Sequence, residues 1–465
     1  MPVPKSERLK LPHIPVPRRP PEERRRDFCE VTLTYTPEQA MAEASRCLEC
    51  GKAPCIEACP LHNRIREWLI LTAQGRFVEA AHLSRTTNPM PEICGRVCPQ
   101  DRLCEGACVL GVKQDPVAIG AVERFINEYA IARDGLPVPP AVPLTGYRVA
   151  VVGAGPTGLA CAEALARRGH VVEVYDTHPQ PGGLLRFGIP GFKLDPAVVD
   201  RRVDYLRRLG IRFICGTRVG QDVPLEDLRR RYDAVFLATG ATTPKRPSLP
   251  GIDREGVVDA LPFLLRNTAD PARRDDLSGR RVVVLGGGDT AMDCLRTAVR
   301  LGASRVTCVY RRDEANMPGS RREVKAAREE GVEFVWLAAP SRFLDDGTGR
   351  LAAIECIRME LGPPDADGRR RPVPVPGSEF TIPADVAVLA FGFDGTPVPA
   401  ADGPRTTPTG TYVVNPDGST DLPGVFAGGD AVRGPDLVVT ALADGRRVAE
   451  TIDRYLRSAV PAARP

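Results

Sequence analysis

The residues of this chain best suited to chemistry are eight closely spaced cysteines in its first quarter. They form two runs, CLECGKAPCIEACP at 47–60 and CGRVCPQDRLCEGAC at 94–108, and each run contains a Cys-Pro pair. Four thiolates bind a [4Fe–4S] cluster or a structural zinc ion, and in two-cluster ferredoxins a run ending in Cys-Pro sends its fourth cysteine to the other cluster. The spacing therefore predicts two centres, one built from the first three cysteines plus a later one and the other from the fourth with the remaining ones. The eight cysteines are Cys47, Cys50, Cys55, Cys59, Cys94, Cys98, Cys104 and Cys108.

The overall composition narrows the classes of function. A net charge of +4 over 465 residues is small, and no basic stripe with interleaved aromatic residues occurs, so nucleic-acid binding is not expected. No run of about eighteen apolar residues is present, so no membrane span is expected either. Because we find no export signal, we expect a reducing, cytoplasmic location and metal-bound cysteines. Spacing alone does not identify the metal, and zinc ribbons stay open as an alternative.

A glycine-rich turn at 153–158 is the first nucleotide-binding feature. Gly153, Gly155 and Gly158 separate an apolar strand from an alanine-rich helix in YRVAVVGAGPTGLACAEALARRGHVVEVYD at 147–176. Such glycines let the backbone approach a pyrophosphate at a helix N-terminus, where amide groups and the helix dipole favour anions. Asp176 ends the second strand, where an acid accepts hydrogen bonds from a ribose diol. The pattern predicts a dinucleotide site, which we assign to FAD.

A second glycine turn lies in RRVVVLGGGDTAMDCLRTAVRLGASRVTCVYRRD at 280–313. Gly286, Gly287 and Gly288 again follow an apolar strand and precede a helix. Here the second strand ends in Arg311 and Arg312, which replace the ribose-binding acid. Guanidinium groups suit a 2′-phosphate, so this site is predicted to prefer NADPH over NADH. The alternative is that the arginine pair is only a solvated surface run.

The elements that must position these residues predict an α/β fold in three parts. Residues 1–145 show helical patterning around the cysteines and end in a proline-rich linker, so we expect a helical domain with two [4Fe–4S] clusters there. Two strand–helix–strand units in one chain predict two Rossmann-like dinucleotide-binding domains, one inserted into the other. We expect the FAD-binding domain at 146–270 and 385–465, and the NADPH-binding domain at 271–384. The segment GVFAGGDAV at 424–432 is similar to one that returns to the first domain in flavoproteins with two dinucleotide sites, which implies that Gly429 and Asp430 lie at the ribityl chain of FAD.

Eight segments together resemble one known family, the small (β) subunits of NADPH-dependent glutamate synthase and the proteins that share their architecture. That family includes the N-terminal half of dihydropyrimidine dehydrogenase and the NADPH-binding subunit of electron-bifurcating ferredoxin–NADP transhydrogenases. The resemblance runs from about Asp27 to about Leu456, and it departs at 394–410, where the chain is shorter than is usual in the family. The segments are DFCEVTLTYTPEQAMAEASRCLEC, NPMPEICGRVCPQDRLCEGACVLG, PVAIGAVERFI, GAGPTGLA, PGGLLRFGIPGFKLD, GGGDTAMDC, YRRDEANMPGSRREV and GVFAGGD.

The resemblance implies a ligand set that differs from the spacing count, because it makes Cys94 a spare thiol. The ligands that it implies for one cluster are Cys47, Cys50, Cys55 and Cys108. Those that it implies for the other are Cys59, Cys98, Cys104 and Glu123. The residues that it places near FAD are Gly183, Leu184, Lys193 and Val219. Those that it places near the nicotinamide nucleotide are Asp289, Thr290, Ala390, Phe391 and Gly392.

The resemblance also implies an activity, that of an NADPH-dependent oxidoreductase. Electrons from NADPH would pass through FAD and the clusters to a large glutamate synthase subunit that makes glutamate from glutamine and 2-oxoglutarate. No side chain is expected to act as a general acid or base, since hydride transfer needs alignment and exclusion of water. One alternative is the same relay serving a pyrimidine dehydrogenase or a ferredoxin–NADP transhydrogenase. Another is a non-catalytic adaptor that contains zinc.

Overall fold

Two parallel sheets, a helical domain and a smaller antiparallel sheet are the main parts of the computed structural model, which describes residues 4–364 and 370–458. Each sheet has five strands and contains a strand, a glycine turn and a helix in succession. The predicted α/β fold with two Rossmann-like domains is therefore confirmed. Within the described residues, no helix has both the length and the apolar character needed to cross a membrane.

The helical domain packs around Trp68, Phe77 and Phe125, whose exposed fraction is at most 7%. Phe77 and Phe125 meet edge to face with ring centroids 5.0 Å apart, a favourable aromatic geometry. Most of the eight cysteines lie in the loops and at the helix ends around this core. The helices are α1 (Lys5–Arg8), α2 (Pro21–Arg24), α3 (Pro37–Ala44), α4 (Pro54–Glu57), α5 (Ile65–Ala73), α6 (Phe77–Thr87), α7 (Pro91–Val97) and α8 (Ile119–Asp134), with 3₁₀ turns at Gln100–Arg102 and Val109–Val112.

The first sheet carries the turn at Gly153. Its strands are β1 (Arg148–Val152), β2 (Val171–Tyr175), β3 (Arg212–Ile214), β4 (Ala234–Leu237) and, much later in the chain, β16 (Val425–Ala427). They pair in parallel in the order β16-β4-β1-β2-β3, so the returning segment completes the sheet. The sheet is covered by helices, which explains why these strands read as continuous apolar runs. The helices are α9 (Pro156–Ala166), α10 (Leu184–Phe187), α11 (Pro196–Arg208), α12 (Leu225–Arg231), α16 (Asp430–Arg433) and α17 (Val438–Ser458).

The second sheet carries the turn at Gly286. Its strands are β6 (Val257–Asp259), β7 (Arg281–Leu285), β8 (Arg305–Tyr310), β9 (Glu333–Trp336) and β14 (Val386–Leu389). They pair in parallel in the order β6-β14-β7-β8-β9. Because β6 and β14 belong to it, this sheet extends beyond the predicted range 271–384 at both ends. β6 has only three residues, too few to show a strand pattern. The helices are α13 (Ala260–Ala269), α14 (Asp289–Arg300) and α15 (Arg321–Glu329), with a 3₁₀ turn at Pro271–Arg273.

Between β9 and β14 the chain leaves the second sheet and forms a separate antiparallel sheet of four strands. Strand β11 (Leu351–Pro364) pairs with β10 (Ala338–Asp345), β12 (Arg370–Pro374) and β13 (Phe380–Pro383). A short antiparallel pair, β5 (Thr243–Pro244) with β15 (Phe393–Asp394), joins the two crossings between the sheets. The two chain crossings therefore lie side by side, as expected for a domain inserted into another.

Candidate functional site

The glycine turn after β1 has two packing positions and one open position. Gly153 has φ +109°, and a Cβ there would overlap the carbonyl oxygen of Ala238 on the neighbouring strand end. A Cβ at Gly158 would overlap the carbonyl oxygen of Gly153, whereas a Cβ at Gly155 would meet nothing within 4 Å. Gly155 is the N-cap of α9, so the open space lies at a helix N-terminus. This is where a Rossmann fold accepts a pyrophosphate.

Two of the predicted FAD residues border this open position. Asp176 accepts a hydrogen bond from the backbone N–H of Ala154 at 2.6 Å, which holds its carboxylate against the turn. Gly183 has φ +52°, and a Cβ there would lie 2.7 Å from the Cα of Gly155. The loop that leads into α10 therefore passes directly beside the open helix end. Only a residue without a side chain fits this approach. Leu184 is the first residue of α10.

Asp430 contributes a buried carboxylate oxygen to this site. Gly429, with φ +66°, packs on Thr157 of α9 so closely that a Cβ would overlap its hydroxyl. The next residue is Asp430, whose Oδ1 is buried and has no hydrogen-bond partner within the described residues. Burial raises the pKa of this carboxyl to about 6. A buried acceptor without a donor costs free energy, so this atom fits the hydroxyl groups of a bound ligand such as FAD.

The turn after β7 repeats this arrangement on the second sheet. Gly286 has φ +146°, and a Cβ there would overlap the carbonyl oxygen of Ala390, which follows β14. A Cβ at Gly287 would contact the ring of Tyr310 at 2.5 Å, whereas a Cβ at Gly288 would meet nothing within 4 Å. Gly288 is the N-cap of α14. The open space again lies at a helix N-terminus and fits a second dinucleotide.

The residues predicted to bind the nicotinamide nucleotide lie at the start of α14 or follow β8 and β14, the two strands that flank β7. Asp289, the first residue of α14, accepts a hydrogen bond from the backbone N–H of Ser320 at 2.9 Å. Arg311 and Arg312 follow β8, and Arg312 Nε is buried without a partner among the described residues. A buried donor of this kind fits an added acceptor such as a phosphate. The remaining predicted residues are Thr290, which follows Asp289 in α14, and Ala390, Phe391 and Gly392, which follow β14.

Lys193, which the resemblance places near FAD, links the two nucleotide-binding domains. Its Nζ lies 2.8 Å from Asp293 Oδ1 and 3.9 Å from Glu323. Burial alone would lower the pKa of Lys193, but these two acids raise it above its usual value. Val219, which the resemblance also places near FAD, is 5% exposed and lies in the same apolar core as Tyr175. Lys193 is thus charged and held at the interface between the sheets.

Four cysteines implied as ligands of one cluster line a single cavity of the helical domain. They are Cys47, Cys50, Cys55 and Cys108. The rest of the lining is mainly apolar, including Leu48, Leu69 and Ile119. Burial raises the pKa of Cys47 to about 11, so the cavity disfavours a free thiolate. A cationic cluster would stabilise the thiolates that this cavity brings together, so the donor set fits one.

The second group of predicted ligands contains two buried members, Cys98 and Glu123. Its members are Cys59, Cys98, Cys104 and Glu123. Burial raises the pKa of Cys104 well above its usual value of 9.0, and the charges of Cys59 and Glu123 add to this. The pKa of Cys98 is raised first by a hydrogen bond with Cys94 and then by burial. Cys94 therefore belongs to the same group, and proximity alone does not choose between it and Glu123 as the fourth ligand.

Glu123 is fixed by two amides. Its Oε1 accepts hydrogen bonds from Asn63 at 2.6 Å and Asn88 at 3.1 Å. Burial raises the pKa of Glu123 to about 8, against the effect of these two donors.

Throughout the part of the chain that the structure describes, no three Cys, His, Asp or Glu side chains converge closely enough to hold a single metal ion.

The second group adjoins the first glycine turn. Cys94 and Cys98 share one apolar core with Ala154 of that turn and Leu185 of α10. Cys59 packs against this core and also against the core of the helical domain. Cys47, Cys55 and Cys108 of the first group pack against the core of the helical domain as well. Shared packing therefore orders the sites as the turn after β1, the group around Cys98 and the group around Cys47.

Two contributing residues were missed by the sequence analysis. Asp293, the partner of Lys193, lies one helical turn after Asp289. The signal available in the sequence was the second acid of GGGDTAMDC, in the middle of a predicted helix. Arg102 lies between Cys98 and Cys104, and it donates to Asp289 Oδ2 at 3.2 Å and to the carbonyl oxygen of Pro318 at 2.8 Å. Nothing local could have indicated this contact, because it joins two domains.

Comparison with known families gives two matches that together span most of the chain. Residues 24–135 match the family model described as dihydropyrimidine dehydrogenase domain II, 4Fe-4S cluster. Residues 147–445 match the pyridine nucleotide-disulphide oxidoreductase family. The first match favours iron–sulfur ligation by the cysteines over a zinc ribbon.

Several relatives are similar over nearly the whole of this chain. The chain is 48% identical to the glutamate synthase [NADPH] small chain of Escherichia coli K12, covering 96% of this chain and 98% of that protein. It is 49% identical to the putative oxidoreductase AegA of the same organism, covering 94% of this chain and 68% of that protein. Among solved structures, Mycobacterium tuberculosis FprA in complex with NADPH has a TM-score of 0.59 at 22% identity, covering 68% of this chain and 85% of that one. This last likeness shows the fold alone.

Proposed function

The chain belongs to the family of the glutamate synthase [NADPH] small chains, and we propose that it delivers electrons from NADPH, by way of FAD and two [4Fe–4S] clusters, to a large glutamate synthase subunit. The predicted family membership and oxidoreductase function are confirmed by the 48% identity over nearly the full length of the Escherichia coli protein. The match to a 4Fe-4S family supports at least one cluster. FAD, the second cluster and the large subunit belong to the proposal.

One observation carries the proposal, the succession of sites from the first glycine turn to the cysteines around Cys47. When bound, FAD takes a hydride as an electron pair and releases single electrons, which iron–sulfur clusters carry. The protein supplies two open helix N-termini, at Gly155 and Gly288, where pyrophosphates would bind. It also packs Cys98 and Cys59 on the apolar core that contains the FAD turn, while Cys47, Cys55 and Cys108 border the core of the helical domain. This order supports electron exit through the group around Cys47.

The side chains in this proposal bind and orient, and none transfers a proton. Arg311 and Arg312 would hold the 2′-phosphate, while Asp176 and Asp430 would accept hydrogen bonds from the hydroxyl groups of FAD. Lys193 would hold the two nucleotide domains together through Asp293. Alignment of this kind is what hydride transfer requires of a protein.

The proposal is tested with anaerobically purified chain. We expect a yellow-brown protein with about eight iron atoms and eight sulfides per chain, as two [4Fe–4S] clusters require. NADPH should bleach the flavin absorbance, and NADH should do so far less well. With a large glutamate synthase subunit added, NADPH oxidation should depend on both glutamine and 2-oxoglutarate.

The same assay separates the alternatives. NADPH oxidation that responds to uracil or to ferredoxin, and not to glutamine with 2-oxoglutarate, would assign the relay to another acceptor. The chain is also 49% identical to AegA, which is named as a putative oxidoreductase and not as a glutamate synthase subunit. A different electron acceptor is therefore the main alternative that this assay tests. A colourless protein with zinc and no iron would instead favour a non-catalytic adaptor.

A further inference from the structure

An N-terminal segment lies between all three parts of the chain. Residues 17–33, here named the strap, fold back on themselves through backbone bonds from Arg19 N to the Val31 carbonyl at 3.0 Å and from Leu33 N to the Pro17 carbonyl at 2.8 Å. An ion pair of 2.6 Å between Arg19 and Asp27 closes the same loop. The strap is therefore an ordered element with its own fixed shape.

The strap is anchored to the helical domain and to the FAD-binding domain. Glu30 accepts hydrogen bonds from Arg96 of α7 at 2.7 Å and from Arg124 of α8 at 2.5 Å. The backbone N–H of Asp195, the N-cap of α11, also donates to Glu30 at 3.1 Å. Val31 N donates to the carbonyl oxygen of Phe192 at 3.0 Å. These bonds fix the strap to two parts of the chain at once.

Arg24, at the end of α2, carries the strap into the inserted domain. It is 2% exposed, and its Nε donates to Glu330 Oε1 at 3.0 Å. Its NH2 group donates to Glu329 Oε2 at 2.7 Å. The neighbouring Arg25 instead pairs at the surface with Glu22, and its side chain is 41% exposed. Arg24 alone of these two arginines reaches the acids at the end of α15, of which Glu330 is buried.

Glu330 passes this contact on to α14. Arg296 of that helix donates to both of its carboxylate oxygens, at 3.0 and 2.8 Å, and Arg300 also donates to both, at 2.7 and 3.2 Å. Burial alone would raise the pKa of Glu330, but the two arginines lower it to about 2. One buried carboxylate thus joins the strap to two successive turns of α14.

The FAD-binding domain holds α14 from another direction. Phe192 lies under both guanidinium groups, 4.6 Å from that of Arg296 and 4.0 Å from that of Arg300. Phe28 of the strap lies 6.1 Å from Phe192 between ring centroids. Lys193, the next residue, is paired with Asp293 one turn nearer the start of the helix. Three consecutive turns of α14 are therefore held by groups outside its own domain.

We propose that Arg24 is a positioning residue, which acts through Glu330 to fix α14 and so the orientation of the NADPH site relative to the FAD site. The proposal rests on the function proposed above. The N-terminus of α14 carries the open position at Gly288, so any tilt of the helix displaces a nucleotide bound there. Domains joined by two chain crossings move relative to each other unless an interface restrains them. The strap supplies that restraint without contacting the turn itself.

The test compares Arg24→Ala with Arg25→Ala, which removes the adjacent exposed arginine. For Arg24→Ala we expect the limiting rate of flavin bleaching at saturating NADPH to fall about 10- to 100-fold, while the Kd of NADP⁺ changes less than about twofold, because alignment and not affinity is lost. Arg24→Lys should recover part of the rate, and Arg25→Ala should match the unaltered protein. Hydrogen exchange of the α14 amides should be faster in Arg24→Ala alone.

The outcomes are distinguishable from failure of the proposed function. If NADPH does not bleach the unaltered protein, that function fails. If it does and Arg24→Ala is reduced at the same rate, the positioning role is overturned, as it is if only the Kd changes. Should Arg24→Ala lose FAD or iron, Arg24→Lys decides, since it keeps the buried charge and loses the two directed hydrogen bonds to Glu330 and Glu329. A fall in the same limiting rate then supports the role, and an unchanged rate refutes it.

Discussion

The open position at Gly288 gives the sharpest prediction, because it separates folding from binding. We predict that Gly288→Ala folds normally and binds NADP(H) poorly. A Cβ there meets nothing within 4 Å, and the backbone angles of φ −86° and ψ 178° are ordinary for alanine. The added methyl group does, however, occupy the space in which a pyrophosphate would approach the amides at the start of α14.

The expected magnitudes follow from this geometry. Replacing an N-cap glycine by alanine costs up to about 1 kcal/mol, and the lower entropy of the unfolded chain returns about 0.4–1 kcal/mol, so the free energy of unfolding should change by less than about 1 kcal/mol. Losing one hydrogen bond between an amide and a charged phosphate costs about 1.5–3 kcal/mol. The Kd of NADP⁺ should therefore rise about 10- to 100-fold.

Calorimetric titration with NADP⁺ and a thermal melt measure the two effects separately. Gly286→Ala is the matched control, since its Cβ would overlap the carbonyl oxygen of Ala390 at φ +146°, and we expect it to lose stability. Gly155→Ala should retain NADP⁺ binding and lose FAD. Wild-type affinity in Gly288→Ala, or a wild-type melt in Gly286→Ala, would refute this account of the turn.

Three further predictions concern other parts of the site. Replacing both Arg311 and Arg312 by glutamine should weaken NADPH binding about tenfold per arginine while leaving NADH binding nearly unchanged, and an equal loss for both nucleotides would contradict the 2′-phosphate role. Cys94→Ser should retain the iron and sulfide of both clusters, whereas Cys104→Ser should lose one; loss of a cluster in Cys94→Ser would overturn the ligand set implied by the family. In FAD-free protein, the pKa of Asp430 is raised to about 6 from 3.8, so stability is lost as pH rises between these values. Asp430→Asn should thus melt higher than the unaltered protein above pH 6 and equally below about pH 3.8, and it should bind FAD more weakly. A melting difference that is the same at all pH values would rule out this titration.

The turns could be predicted from the sequence because their information is local. A strand, three glycines and a helix within thirty residues leave few alternatives, and the different ends of β2 and β8 were visible as Asp176 and Arg311. Strand β6 could not be predicted, because a strand of three residues shows no periodicity. The partner of Lys193 was not predictable either, since its contact with Asp293 spans 100 residues of sequence and depends on how two domains dock.

The interface between the nucleotide domains is built from charges where apolar side chains would have stabilised it as well. Its buried or partly buried members are Lys193, Arg24, Arg296 and Arg300 with Asp293, Glu323, Glu329 and Glu330. The four cations balance the four anions. Such a set contributes little net stability, because desolvation offsets most of the attraction. An apolar interface tolerates small displacements, whereas a directed hydrogen bond across it, such as that of Lys193 to Asp293, is lost when either partner moves. The charges therefore favour one relative orientation of the two dinucleotide sites, and hydride transfer depends on that orientation more than on the stability of the interface.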